Sequence, residues 1–104
     1  NATTGAIIGT FPVGNLPSGL AVNPSANILY VANLVSNNVS FLNATTGATI
    51  GTYSSGGTGL SYGVAVNPTA SIAYITNAGS NNIGYLNAST GPHRGTANTE
   101  SVFF

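Results

Sequence analysis

The chain has 104 residues, of which one is basic and one acidic, so charged side chains make up only 2% of it. An ordinary soluble domain carries about 25% charged residues, and this near-neutral chain therefore has no basic surface for binding nucleic acid. It also has no cysteine, which excludes disulfides and thiolate metal sites, and no apolar run near the roughly 18 residues of a membrane-spanning helix.

The first predicted element is a short apolar strand with the sequence AIIGTF, at residues 6–11. It follows the turn-forming letters NATTG. We expect residues 1–18 to consist of this strand, unpaired, and its connection to the next element. Because the chain begins with Asn1 rather than methionine, we also expect it to be a processed or excised segment.

Three further strands follow, at residues 19–22, 27–33 and 38–43, and a second copy of the first strand comes after them. In the strand at 27–33, apolar side chains occur on both faces, which indicates a strand covered from both sides. Residues that tolerate tight turns separate the strands. No window has the period of a helix, so the pattern predicts an all-β chain.

The whole unit then repeats. Residues 18–47 align with residues 62–91 at a constant offset of 44, and the turn letters NATTG return at residue 43 and, as NASTG, at residue 87. Four short strands in a unit of 42 to 44 residues are typical of one β-propeller blade. The sequence therefore predicts antiparallel four-stranded propeller blades, about two blades' worth of strands per chain. The predicted divisions are a first repeat at 19–62, a second repeat at 63–96 and a C-terminal tail at 97–104.

The last strand of the second repeat differs from its earlier copies, because TGPHRGT replaces TGATIGT. Pro92 cannot donate to a sheet ladder, so we expect this strand to be weak. Two blades are also fewer than the roughly four that a propeller needs, and they would leave apolar faces and sheet edges exposed. We therefore predict that the N-terminal strand of one chain completes the last blade of another, in a ring or a filament. The candidate inter-chain residues are Ala6, Ile7, Ile8, Gly9, Thr10, Phe11, Phe103 and Phe104.

Both repeats contain the letters AVNP, then LYVAN or AYITN, then SNNVSFLNATTG or SNNIGYLNASTG. In order and spacing they resemble the YVTN-type β-propeller repeat of bacterial and archaeal cell-surface proteins, over residues 1 to about 96. The family usually has aspartate where this chain has Asn43 and Asn87, and its propellers normally have about seven blades. The resemblance implies a propeller architecture and an extracellular, cell-surface location, but no activity.

Residues for catalysis or metal binding are sparse. Apart from the tyrosines, the candidates for acid–base catalysis are His93 and Glu100, in a divergent tail. One histidine and one carboxylate do not make a metal site, and the letters SSGGTG lack the lysine of a phosphate-binding loop. We therefore predict no catalytic, cofactor-binding or metal-binding residues. The repeated aromatic residues are expected in the core, with sugar binding as the alternative; they are Tyr30, Phe41, Tyr74 and Tyr85.

Glycosylation sequons of the form Asn-X-Ser/Thr occur at Asn1, Asn38, Asn43 and Asn87. All but Asn38 share one repeat position, the turn before the last strand of a blade. Two interpretations stay open. The asparagines serve the turn alone, because asparagine suits tight connections, or they carry covalent glycans that provide the solvation that charge does not.

These observations favour a non-enzymatic extracellular structural protein, the subunit of a homopolymeric cell-surface filament or lattice joined by β-strand complementation. The alternative is a two-repeat fragment of a larger surface propeller that acts as an adhesion or ligand-binding module. An enzyme comes third, because the chain has so few acid–base groups.

Overall fold

A computed structural model describes residues 1–56, 61–90 and 93–98, the last six as backbone alone. Within these residues it contains eight β-strands and no helix. The strands are β1 (Pro17–Asn23), β2 (Ile28–Asn33), β3 (Asn38–Asn43), β4 (Thr49–Ser54), β5 (Ser61–Asn67), β6 (Ile72–Asn77), β7 (Asn82–Asn87) and β8 (His93–Asn98).

The strands form two antiparallel sheets in sequential order, β1-β2-β3-β4 and β5-β6-β7-β8. Equivalent strands pair in equivalent register: Tyr30 of β2 lies opposite Phe41 of β3, and Tyr74 of β6 lies opposite Tyr85 of β7. In both sheets the last pair of strands shifts register at the same place, after Phe41 and after Tyr85. The prediction of an all-β chain with two blades' worth of antiparallel strands is therefore confirmed.

Short turns with a left-handed residue join the first three strands of each sheet. Asn27 and Asn37 in the first sheet have φ angles of 57° and 58°, and Ser71 and Asn81 in the second both have a φ of 56°. Asparagine enters this region more readily than most residues because its short polar side chain bonds locally. The four residues occupy two repeat positions, so the turn geometry repeats together with the strands.

The apolar core lies between the two sheets. Tyr30, Val39 and Phe41 of the first sheet are fully buried in it, together with Ile75 and Leu86 of the second. The rings of Tyr30 and Phe41 meet edge to face, with 4.7 Å between their centroids. Such an aromatic pair contributes about 0.5–1.5 kcal/mol beyond its buried area. Each sheet thus buries one face against the other.

The last strand of the second repeat is a full member of its sheet, contrary to the prediction. β8 pairs with β7 from Asn98 opposite Asn82 to His93 opposite Leu86, in the register that β4 adopts on β3. Pro92 precedes the first strand residue, so every position of β8 has a backbone N–H. The ladder is made by the backbone, and the divergent side chains do not prevent it. Within the chain, the fourth-strand position of the second blade is thus filled by β8. Its replacement by a neighbour's strand stays a prediction.

The N-terminal segment AIIGTF, predicted as a strand, is not one in this chain. Residues 6–11 are exposed, and the exposed fractions of Ile7 and Ile8 are 86% and 84%. A strand needs a sheet edge for its hydrogen bonds, and residues 6–11 pair with neither sheet, each of which has its own fourth strand. Phe11 places its ring against the turn residue Gly47. The segment thus has the sequence of a fourth strand without a blade to join among the described residues.

The predicted tail at residues 97–104 begins within β8. Its inter-chain candidates Phe103 and Phe104 lie outside the described residues, and so does the candidate acid–base residue Glu100. These predictions stay open.

Candidate functional site

Each blade has two faces, and the packing between the blades distinguishes them. Successive side chains of a strand point to opposite faces of its sheet. We call the face that carries Tyr30 in the first blade, and the equivalent Tyr74 in the second, the front face. The opposite face, which carries Leu20 in the first blade and Val64 in the second, is the back face. Because Tyr30 and Val64 meet in one core, the front of the first blade packs on the back of the second.

Tyr30 anchors this contact between the blades. Its side chain is fully buried, and its hydroxyl donates to the Ala88 carbonyl of the second blade at 2.8 Å. Asn23 Nδ2 donates to the same hydroxyl oxygen at 3.5 Å. Burial raises the pKa of the Tyr30 hydroxyl, and the bond from Asn23 opposes that rise. The contact therefore holds the phenol in its neutral form.

Polar side chains close one edge of the same contact. Ser18 Oγ lies 2.9 Å from the Ser61 carbonyl oxygen and 2.8 Å from that of Tyr62. Asn77 Nδ2 donates to the Ser55 carbonyl at 3.1 Å. Ser55, Ser61 and Asn77 are buried, so these bonds satisfy groups that water does not reach. The blades are thus joined by directional bonds as well as by apolar packing.

Two glycines let the blades approach at this edge. A Cβ at Gly84 would overlap the Ser55 carbonyl oxygen, and a Cβ at Gly19 would lie 2.5 Å from the Tyr62 carbonyl oxygen. Only glycine leaves room for backbone at such distances.

The other two faces have no covering blade among the described residues. On the front of the second blade Tyr74 is 38% exposed, although Tyr30 at the same repeat position is 0% exposed. On the back of the first blade Leu20 is 64% exposed, whereas the equivalent Val64 packs against the core. The expectation that all the repeated aromatic residues lie in the core is therefore wrong for Tyr74, which has no blade in front of it.

The turn that carries most of the glycosylation candidates forms three times. Asn1, Asn43 and Asn87 each accept two hydrogen bonds through Oδ1, from the N–H groups two and three residues later, at 2.8–3.0 Å. This is an Asx turn, so the asparagines have a structural role whether or not they are modified. Asn38 differs, because it begins β3 and its Oδ1 accepts a bond from Asn33 Nδ2 at 2.9 Å. Glycosylation at the four sites stays a prediction.

An open cleft lies on the back face of the first blade, beneath the N-terminal connection. Its volume is about 320 Å³, and it is lined by Pro12, Val13, Gly14, Ser40, Thr49 and Thr52. The polar groups of these residues are hydroxyls and backbone atoms, and none is charged.

Residues 1–56 and 61–90, together with the strand at 93–98, contain no group of three or more histidine, cysteine or acidic residues that could hold a metal ion. His93 is placed in β8 by its backbone. No helix able to cross a membrane occurs in the described part of the chain.

The polar edge between the blades was missed by the sequence reasoning. Two signals could have indicated it. Ser55 and Ser61 flank the glycine-rich connection, and Gly84 stands where the first repeat has Ser40. A loss of side chain at one aligned position of a repeat indicates that another backbone approaches there.

The sequence matches no protein-family model, and no curated protein matches it either. Among solved structures, hydrazine synthase of Kuenenia stuttgartiensis is similar, with a TM-score of 0.87 and 24% sequence identity. The match covers 96% of this chain and 28% of that chain, so this chain spans less than a third of the other's length. That protein has β-propeller domains. The two sheets are propeller blades. At this identity the likeness shows the fold alone.

Proposed function

We propose that this protein is a non-enzymatic, extracellular structural protein whose copies assemble into a homopolymer on the cell surface. The observation that carries the proposal is that two blade faces lie open, the front of the second blade and the back of the first. Their residues are equivalent, by the repeat, to the residues that form the contact between the two blades of the chain. Apolar sheet faces that lie open in this way are typical of interaction surfaces. The resemblance of the repeats to YVTN-type propellers supports the cell-surface location.

The near-absence of charge also supports an assembling protein. A net charge away from zero keeps protein molecules apart, whereas this chain has one acidic and one basic residue. Contact between two copies therefore meets little electrostatic repulsion, and few ions would have to be desolvated in it.

We also propose β-strand complementation between copies, in which the N-terminal segment of one copy replaces β8 of its neighbour. Residues 12–14 approach Asn33 of the first blade as residues 54–56 approach Asn77 of the second. Residues 54–56 are the last residue of β4, the fourth strand of the preceding blade, and the two residues that follow it. By this equivalence residues 6–11 lead to the fourth-strand position of a blade that would lie on the back face of the first, which in a homopolymer is the neighbour's second blade. Complementation then requires the exchange of β8 for the neighbour's segment.

The sequence of that segment fits the exchange. AIIGTF differs from ATIGTY, the letters at residues 48–53 that include most of β4, at only two of six positions. One of them exchanges Phe11 for Tyr53, whose ring packs against Phe41 at 4.8 Å between centroids. Deletion of residues 1–11 should therefore weaken assembly without unfolding either blade, and light scattering together with circular dichroism measures both. Assembly that is unchanged by the deletion would remove complementation from the proposal.

Glycans at the repeated turn would supply the missing solvation. Asn43 and Asn87 are partly exposed, and the Thr45 and Ser89 that complete their sequons are exposed. Intact-mass spectrometry of native material should give a mass above that of the polypeptide, with Asn43→Gln and Asn87→Gln each removing one increment. The bare polypeptide mass would end this part of the proposal.

The decisive experiment is electron microscopy of native material, combined with multi-angle light scattering over a range of concentrations. We expect filaments, a lattice or rings built of this chain. A monomer at micromolar concentration and above would overturn the proposal.

A second candidate is an adhesion or ligand-binding module within a larger surface propeller. It is favoured by the coverage of 28% of the matched structure and by the blade count, which is below the roughly four of a closed propeller. The mass of the native polypeptide separates the two candidates. A polypeptide with about seven copies of the repeat would favour the module.

A further inference from the structure

We infer that the copies join head to tail, with the front face of the second blade of one copy packed on the back face of the first blade of the next. The joint would have the geometry of the contact between the two blades of a single copy. This inference rests on the proposed homopolymer and specifies how its subunits meet.

The first argument is that the open front face keeps the apolar character of the covered one. Three apolar positions show this. In the first blade their side chains are 0% exposed, because the second blade covers them, whereas in the second blade they are partly buried or exposed. The equivalent pairs are Tyr30 and Tyr74, Val39 and Ile83, and Phe41 and Tyr85. A large apolar or aromatic residue stands at each position of the open face, so that face can receive the same kind of partner.

The second argument is that the open back face likewise keeps the character of the covered one. Leu20 and Val22 are exposed to 64% and 50%, and the residues at their repeat positions pack against the core of the contact. The equivalent pairs are Leu20 and Val64, Val22 and Val66, Val31 and Ile75, and Leu42 and Leu86. All eight residues are aliphatic. Val31 and Leu42 are already buried within the single chain, at 6% and 0% exposure, so Leu20 and Val22 are the part of this surface that a second copy would cover.

The third argument is a specific hydrogen bond that the joint can reproduce. Tyr30 donates to the Ala88 carbonyl across the internal contact, and Ala88 is fully buried there. Tyr74 and Ala44 occupy the same two repeat positions on the open faces, where Tyr74 is exposed and Ala44 half-buried. In the joint the Tyr74 hydroxyl of one copy donates to the Ala44 carbonyl of the next.

The joint is directional, because a front face pairs only with a back face. Each copy has one of each, so assembly continues until the rotation closes a ring, or without end as a filament. Propellers with about four to eight blades are typical, which corresponds to rings of about two to four copies.

The test uses two blocking variants of the whole chain, Tyr74→Arg on the front face and Leu20→Arg on the back face. The matched control is Val35→Arg, at a turn position that is 56% exposed even though the front of its own blade is covered. Circular dichroism with thermal unfolding confirms that each variant folds. Light scattering over a concentration series then gives the assembly state of each variant alone and of the two mixed.

We expect each blocking variant alone to raise the concentration of half-assembly by about 30-fold or more, and the control to leave it unchanged. The mixture should form dimers and nothing larger, because one intact front meets one intact back. Assembly that survives both variants, or a mixture that forms no dimer, would overturn the head-to-tail joint and leave the proposed homopolymer standing. A wild-type chain that stays monomeric would overturn the homopolymer itself.

Discussion

The two blades have the same strands in the same register, but they satisfy their buried asparagines in different ways. In the second blade, Asn77 donates to the Ser55 carbonyl at 3.1 Å, and its Oδ1 lies 3.4 Å from the Ser61 hydroxyl. In the first blade, Asn33 donates to the Ser40 hydroxyl at 2.9 Å, and its Oδ1 has no hydrogen-bond partner among the described residues. The Ser40 hydroxyl of the first blade thus takes the place of the Ser55 carbonyl as the acceptor from the asparagine, and the buried Asn33 Oδ1 is left without a donor among the described residues.

Two single-residue differences explain this contrast. Pro17 stands where the second blade has Ser61, and proline has no donor to offer Asn33. Ser40 stands where the second blade has Gly84, and its side chain occupies the space through which the Ser55 carbonyl enters in the second blade. The connection therefore approaches the buried asparagine in both blades: Gly14 lies against the Asn33 side chain in the first, and the Ser55 carbonyl accepts from Asn77 in the second. In the first blade the cleft of about 320 Å³ lies between residues 12–14 and Ser40.

The largest expected effect tests the difference in burial between the blades. Phe41→Ala should lower the free energy of unfolding by about 3–5 kcal/mol, because the ring is fully buried. Tyr85→Ala, at the same repeat position but only partly buried, should cost less than half as much. Urea unfolding of dilute protein measures both. Equal losses would mean that the front face of the second blade is covered in solution.

The next largest effect comes from exchanging the residues at one repeat position, where the first blade has Ser40 and the second has Gly84. Gly84→Ser should cost about 1–3 kcal/mol, because the new side chain forces the Ser55 backbone away from Asn77. Ser40→Gly is the reverse change, and it should cost about 1 kcal/mol through the lost bond to Asn33. Chemical denaturation compares the two variants. A tolerated serine at residue 84 would contradict the role given to the close approach.

A smaller effect compares two tyrosine hydroxyls. Tyr30→Phe should cost about 1–2 kcal/mol, because it leaves the buried Ala88 carbonyl without its donor. Tyr74→Phe should change the stability of the single chain by less than about 0.5 kcal/mol, because its side chain is exposed. A loss of similar size at Tyr74 in dilute protein would show that its hydroxyl already has a partner.

The buried Tyr30 hydroxyl also predicts a dependence of stability on alkaline pH. The folded chain raises the pKa of Tyr30 above the ordinary tyrosine value near 10. The resulting stability is fully present below that ordinary value, and it is lost as the pH rises through the higher pKa of the folded state. Thermal unfolding between pH 8 and 12, a range of about two units on either side of the ordinary value, should show a smaller alkaline loss in Tyr30→Phe than in wild type.

The smallest effect repairs the unsatisfied acceptor. Pro17→Ser restores the residue of the second blade and offers a hydroxyl to Asn33 Oδ1. The gain of about 1–3 kcal/mol from satisfying that group is offset by about 0.4–1 kcal/mol for the lost rigidity of proline in the unfolded chain. We expect a net stabilisation of about 1 kcal/mol, measured by chemical denaturation. The comparison is Ser61, the equivalent residue of the second blade, whose hydroxyl already donates to Asn77 Oδ1. Ser61→Ala removes that bond and should therefore lower the stability.

The repeat offset and the alternation of apolar residues were enough to predict the strands and their division into blades. They did not show that β8 pairs normally, because the prediction counted Pro92 as a missing ladder donor, whereas the strand begins at His93, after the proline. Nor could they show that Tyr74 is exposed. Its sequence environment matches that of Tyr30, and the difference is the absence of a covering blade. The polar edge at Ser55 and Asn77 depends on contacts between residues far apart in the chain, which periodicity does not report.

The turn at residues 43–47 has a consequence for the order of folding. The same five letters at residues 1–5 adopt the same turn without a hairpin around them, and Gly5 and Gly47 share a φ of 78°. The Asn1 nitrogen donates to the Ala6 carbonyl at 2.7 Å, as that of Asn43 donates to Ala48 at 2.8 Å. The conformation is therefore encoded locally. A turn that closes by itself lowers the entropy cost of joining β3 to β4, so we expect this hairpin to form early in the folding of the first blade.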